Sequence, residues 1–330
     1  MLTFRSIFQD ELNEYLALKQ KVMTPESCYR TRQILSTFDR HLLQLELSEK
    51  AITEETINSW IRTLSVKNAK RTVSDKVSCL RKFLEHLLYC GFAVFIPISP
   101  KYSNDYVPYI FSDEEVAKIF NIADRLENIK GRYGTRYTGY TFPMLLRLLY
   151  GCGLRLGETL ALRICDINFA DGTLRIMHAK NKKQRIVPMQ QGLTNMLRRY
   201  CIAMQLIKNP TAFLFPTDKP EQPLTQPTAR YTFKKVLIKS GVYVPPETPN
   251  SRNQCLHCFR HFFAIKSFAQ AESDGRTIHD SVPFLSVYLG HFDMDGTEKY
   301  LKFSGDMFPE YTDMFEAYAT GVFPEVRREE

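Results

Sequence analysis

Tyr300 stands in the stretch GHFDMDGTEKYL, nine positions after His291 and three after Thr297. A tyrosine hydroxyl has a pKa of about 10, so it attacks poorly at neutral pH unless cations favour its oxyanion. Alone, such a residue reads as a half-buried aromatic anchoring a helix. Elsewhere, however, the chain carries groups able to supply that field. Arg155 lies in GCGLRLGETL, just after two glycines and at the start of a helix, with Glu158 one turn on to orient it. Lys180 lies in HAKNKKQRIVPM, at a turn between two strands. His257 and Arg260 lie in LHCFRHFFA, a helical pattern whose i, i+3 spacing puts both on one face. An arginine can hold phosphate oxygens while a histidine beside it moves a proton. At ~4 Å and an effective dielectric of ~20, each such charge pair is worth about 4 kcal/mol before desolvation. A cationic group of this kind suits an anionic transition state.

The elements that must position these residues are mainly helical. FRSIFQDELNEYLALKQ and CYRTRQILSTFDRHLLQ repeat apolar residues at helical spacing. TEETINSWIRTL opens on Thr53 as an N-cap, and TVSDKVSCLRKFLEHLLYCG stops at Gly91. These segments predict a small bundle over residues 1–105. VFIPISPKYSNDYVPYIFS, with Pro97, Pro100 and Pro108, predicts a stiff linker, and SDEEVAKIF restarts a helix with Ser112 and Glu115 as a capping box. Residues 106–330 form the second predicted domain. It begins with the apolar helix TFPMLLRLLYGCG and contains one β region, DINFADGTLRIMHAKNKKQRIVPM, where Asp171-Gly172 signals a hairpin. The predicted class is mostly α with a small antiparallel sheet.

At 330 residues the chain suits two domains, since single cores usually split beyond roughly 250. Its apolar runs fall short of the roughly 20 residues of a membrane span, and the N-terminus meets acidic residues too early for a secretory signal. The expectation is a soluble cytoplasmic protein whose eight cysteines stay reduced. CLHCFRH gathers Cys255, His257, Cys258 and His261, but no second ligand pair at a fixed distance completes a zinc site. The net charge is +8 and unevenly spread: Lys130 to Lys239 holds 19 Lys and Arg against 5 Asp and Glu. Residues 305–330 reverse this, with 7 acidic and 2 basic. A basic middle points to a polyanion, nucleic acid first. Arg62 to Lys82 adds seven basic residues against one Asp, so Lys67, Lys70 and Arg71 are candidate backbone contacts, with Lys182, Lys183 and Arg185 on the hairpin. Local reasoning alone does not separate Lys180 from Lys182 and Lys183.

The ordered set of Arg155, Lys180, His257, Arg260, His291 and Tyr300 resembles the tyrosine recombinase (phage integrase) family. GLRLGE, AKNKKQRIVP, HCFRHFFA, LGH and TEKYL match its motifs in order over about residues 107–303, while residues 1–105 match in kind, as a helical core-binding domain. The resemblance implies that Arg155 and Arg260 clamp the scissile phosphate. Lys180 would protonate the departing 5′ oxygen, His257 would assist proton transfer from the tyrosine, and His291 would hydrogen-bond the phosphate. Tyr300 would attack to leave a 3′-phosphotyrosyl bond, with neither cofactor nor metal. It further implies a tetramer across two specific DNA sites, two domains clamping the duplex from opposite sides, accessory recombination proteins and a nucleoid-associated location. The stretch AQAESDGRTIHDSVPFLSVYLGH is longer than the family's compact form and resembles transposon-type members; no arm-binding domain is expected. The tail, about residues 305–330, is expected to dock on a neighbouring subunit. A type IB topoisomerase and a catalytically silent DNA-binding regulator are the rival readings.

Overall fold

The computed structural model describes residues 3–102, 107–127, 137–177, 184–219, 221–246, 253–290 and 297. The chain divides into two compact units, Met1–Asp105 and Tyr106–Glu330. The described residues are mostly helical, with one small antiparallel sheet.

The first unit holds four helices: α1 (Gln9–Gln20), α2 (Pro25–Gln44), α3 (Glu54–Lys67) and α4 (Lys70–Tyr89). Thr24 accepts the Ser27 N–H ahead of Pro25, and Thr53 accepts the Thr56 N–H, so two starts are capped by side chains that satisfy otherwise unpaired donors. On α4, Val73, Val77, Leu80, Leu84 and Leu87 recur at helical spacing and are buried. They meet Phe38 of α2 and Trp60 of α3, whose rings pack edge-on at 5.4 Å. Each fully buried side chain of this size contributes about 1.5–3 kcal/mol. The buried Asp39 carboxylate accepts the N–H groups of Arg5 and Ser6, both at 3.0 Å, and ties the N-terminal segment to α2.

The second unit opens with α5 (Asp113–Asp124), capped reciprocally by Ser112 and Glu115. Next comes α6 (Thr138–Cys152), whose largely apolar sequence is buried on nearly every side. Its one charge, Arg147, reaches out to Asp124 through two bonds of 2.7 and 2.8 Å. Gly153 ends α6 at φ +58°, where a Cβ would stand 2.5 Å from the Phe263 ring. Only glycine fits there. The short α7 (Leu156–Ala161) follows, then the sheet of β1 (Ile167–Asn168), β2 (Thr173–Ile176) and β3 (Arg185–Pro188) in that order. Asn168 pairs with Thr173 around the Asp171-Gly172 turn, and Ile176 pairs with Arg185. Leu174, Ile176 and Val187 point into the core, where they join α8 (Gln191–Ala203) and α9 (Gln226–Lys239). The described elements close with α10 (Cys258–Ser273) and α11 (Ile278–Leu289), the latter capped by Thr277 and stopped by Gly290 at φ +68°.

Candidate active site

Three arginines from three elements converge on the last turn of α11. Arg185 on β3 donates Nε to the Tyr288 carbonyl at 2.8 Å. Arg260 on α10 donates Nη2 to the Leu289 carbonyl at 2.7 Å. Arg155, the residue before α7, donates Nη2 to the Gly290 carbonyl at 2.9 Å. A helix end leaves such carbonyls without intrahelical partners and carries partial negative charge, so guanidinium groups satisfy both demands. Arg260 also donates Nη1 to the Gly153 carbonyl at 2.9 Å, which joins the end of α6 to the end of α11. Gly153 therefore has two duties: its missing side chain admits Phe263, and its carbonyl holds Arg260.

Glu158 connects two of the arginines from below. Its Oε1 accepts Arg155 Nη1 at 2.8 Å and Arg185 Nη1 at 3.2 Å, and its Oε2 accepts Arg185 Nη2 at 2.7 Å. Burial alone would raise the carboxyl's pKa, yet the bonds and charges of Arg185 and Arg155 outweigh it and hold the group below the usual carboxylate range. The side chain of Glu158 is only 3% exposed and that of Arg185 9%, against 26% for Arg155. Arg155 is the member of the trio that reaches toward solvent, and it lines a cleft of about 750 Å³ together with Arg230, Lys234, Cys255 and His257. His257 is the residue immediately before α10 and is exposed, whereas Arg260, in the first turn, is 1% exposed. The helix thus starts at Cys258, later than the sequence pattern suggests, and His257 and Arg260 differ in depth. His257 packs edge-on against the ring of His261 at 4.7 Å.

The model of the phage integrase family matches residues 111–304, more than half of the sequence. The chain belongs to this family. It is a site-specific DNA recombinase, an enzyme that breaks and rejoins DNA strands. The recombinase is similar to tyrosine recombinase XerC of Staphylococcus saprophyticus, 26% identical over 87% of this chain and 89% of the relative. Likewise, tyrosine recombinase XerD of Rickettsia conorii is 24% identical over 86% of this chain and 90% of its own. Among solved structures, a lambda integrase dimer bound to a COC' core site shares the fold with a TM-score of 0.65 at 15% identity. That likeness spans 88% of this chain and 94% of that one. An integrase of the Tn1549 transposon in complex with a circular-intermediate DNA gives 0.61 at 14% identity, covering 88% and 93%.

Of the residues expected to carry the recombinase's chemistry, Arg155, His257 and Arg260 are placed as above. Lys180, His291 and Tyr300 lie outside the described residues, as do Lys182 and Lys183. Of the stretch that holds Tyr300, Thr297 is described, and it is fully buried. Lys67 ends α3, and Lys70 and Arg71 begin α4; all three are exposed, and Arg71 lies 5.6 Å from the centre of the Tyr102 ring. Arg185, expected to face DNA, has its guanidinium on Glu158 and the Tyr288 carbonyl, with its side chain 9% exposed. The signal was present in the strand period, since Arg185 and Val187 share a face and Val187 is buried, while Ile186 between them is 68% exposed.

Proposed function

We propose that the recombinase cleaves one strand at a time through Tyr300, leaving a 3′-phosphotyrosyl bond and a free 5′ hydroxyl. The observation that supports this most is the meeting of Arg155 and Arg260 on adjacent carbonyls, those of Gly290 and Leu289. Two cations far apart in sequence are held at the point where the chain runs on to His291 and Tyr300. A scissile phosphate set there would take charge-assisted bonds from both guanidiniums. His257, exposed beside Arg155 in the same cleft, is suited to take the tyrosine's proton. Lys180 would protonate the leaving 5′ oxygen, and His291 would hold a phosphate oxygen. Because the phosphotyrosyl ester conserves the energy of the phosphodiester it replaces, the free 5′ hydroxyl can attack it and rejoin the strand without ATP.

In this reading residues 1–105 bind DNA through Lys67, Lys70 and Arg71, and residues 106–330 carry the chemistry. Phosphate contacts would supply most of the affinity. A lambda integrase tetramer has been solved on a Holliday junction, and the XerH site-specific recombinase on its difH substrate, which supports a tetramer on double-stranded sites here. The acidic tail after residue 305 would dock on a neighbouring subunit, and accessory proteins would set direction. Cytoplasmic, nucleoid-associated DNA of a mobile element, transposon or phage, is the setting that fits. The deciding experiment offers DNA from the ends of its own genetic element, nicked near the crossover so that cleavage traps the enzyme. A covalent adduct mapped to Tyr300 supports the proposal, and an adduct on any other residue overturns it. Good binding with no adduct would favour the silent regulator.

A further inference from the structure

Cys255 and Cys258 frame His257 in a Cys-x-x-Cys spacing, and the mechanism uses neither thiol. Their sulfurs are 3.7 Å apart, and the Cys258 sulfur also accepts the Cys255 N–H at 3.3 Å. Cys255 is exposed and lines the cleft shared by Arg155, Arg230 and His257, while Cys258 is fully buried as the first residue of α10. All eight cysteines are free thiols, and among the described residues no cluster of His, Cys, Asp or Glu makes a metal site, so the pair answers to thiol chemistry.

We propose that Cys255 and Cys258 are an oxidisable dithiol, a modification site that small-molecule disulfides convert to a Cys255–Cys258 bridge and thereby slow strand cleavage. The two thiols are unequal in the way such chemistry requires. The hydrogen bond from Cys258, the N–H groups of His257 and Cys258 and the charge of Arg230 favour the Cys255 thiolate against the partial desolvation of its sulfur in the cleft. The Cys258 thiol is held protonated by that same bond and by burial. Cys255 is therefore the attacking sulfur and Cys258 the resolving one. In the first step the Cys255 thiolate attacks a disulfide RSSR, forming a mixed disulfide and releasing RS⁻. In the second, Cys258 loses its proton to solvent and attacks the Cys255 sulfur, releasing the other RS⁻. Two protein thiols are oxidised to one disulfide, and RSSR is reduced to two RSH.

Closing the sulfurs from 3.7 Å to the bond length of about 2.05 Å draws residues 255–258 inward, and His257 turns with them. A displacement on the order of 1 Å at a proton-transfer group costs up to about a hundredfold in rate. Oxidation also removes a thiolate from a cationic cleft, so DNA binding is held or tightened while cleavage slows. The effect on cleavage rests on the role proposed for His257, whereas formation of the bridge does not.

The test treats the whole protein with oxidised glutathione, alkylates the remaining thiols and maps the peptides. Adduct formation and DNA retention are then measured on the nicked DNA that the reduced enzyme cleaves. The expected result is a bridge between residues 255 and 258 and adduct formation at least about tenfold slower. Retention should be undiminished, dithiothreitol should restore the rate, and Cys255→Ser should lose the sensitivity. The proposal is overturned if both thiols stay alkylatable, if glutathione remains on Cys255 without a bridge, or if the bridge leaves cleavage unchanged. Sensitivity that persists in both Cys255→Ser and Cys258→Ala also overturns it, and assigns the effect to exposed Cys90 or Cys165. An enzyme that forms no adduct even when reduced refutes the Tyr300 reading instead, and the peptide map still decides the dithiol.

Discussion

Arg185 and Glu158 form a two-point ion pair, with Nη2 to Oε2 at 2.7 Å and Nη1 to Oε1 at 3.2 Å, that joins β3 to α7 beneath Arg155. Both side chains are nearly enclosed, so the pair works as a brace: β3 and α7 cannot separate without stranding a buried charge.

Removing half of that brace is therefore costly in two ways. Glu158→Gln leaves two guanidiniums without their anion and should lower stability by about 3 kcal/mol, measurable by denaturant unfolding. Arg185→Lys keeps the charge but loses the fork, so covalent adduct formation should slow by about tenfold to a hundredfold. DNA retention should change little, because Arg185 faces the interior. Retention that falls in step with cleavage would restore the residue to the DNA surface.

Gly153→Ala should be among the most damaging single-methyl additions in the second unit. It imposes a Cβ on a left-handed residue and drives it against Phe263. The backbone cost alone is on the order of 1–2 kcal/mol, and the shifted carbonyl would release Arg260. A variant as stable as the parent, and as fast in adduct formation, would contradict the packing described.

Acid should weaken the fold before it protonates carboxylates. His261 ordinarily titrates near 6.5, but burial, followed by the charges of His257 and Arg260, pushes it down to about 3. The unfolded chain takes up this proton as pH falls below 6.5 and the folded chain does not, so stability is complete above that value and drains away as pH drops toward 3. Glu158, also lowered, adds a loss in the same direction, but only below its ordinary 4.5. Unfolding midpoints at about pH 7.5 and about pH 5 should therefore differ, and His261→Gln should narrow the gap. His41 in the first unit, lowered by burial, accounts for part of what remains. An unaltered gap in the variant would remove His261 from this account.

Lys67 and Lys70 sit where α3 ends and α4 begins, exposed, with no acidic residue in the first turn of α4. If each neutralises one phosphate, replacing either by Ala lowers the slope of log affinity against log salt by about 0.9 on duplex DNA. A slope that stays put would move the contact elsewhere on the helical unit.

What the sequence disclosed depended on whether a residue type carries its own signature. The caps at Thr53 and Ser112, the stop at Gly91 and the Asp171-Gly172 turn are short-range devices, and the structure has them where the residues imply. Arg155 was legible beside its orienting Glu158 for the same reason: they are one turn apart. The acceptors of the arginines were not legible, because Gly153, Tyr288, Leu289 and Gly290 contribute main-chain oxygens, which every residue possesses. The bonds of Arg185 to Glu158 and Tyr288 are legible only in strand parity, which puts it on the face of buried Val187, not in the charge of its neighbours. The start of α10 is not legible in residue type, since Leu256 and His257 suit a helix but here close the turn before it.

The three hydrogen bonds by which the arginines hold the end of α11 all go to main-chain carbonyls. The outward residues of α11, Phe284 and Val287 at 75% exposure each, can therefore change without loosening those bonds. A change of length is another matter. One inserted residue would turn the terminal carbonyls by about 100° and lift them about 1.5 Å, out of reach of all three donors together. Lineages descended from this protein should therefore show the outward positions of α11 rewritten freely in letters and the helix kept to the same count.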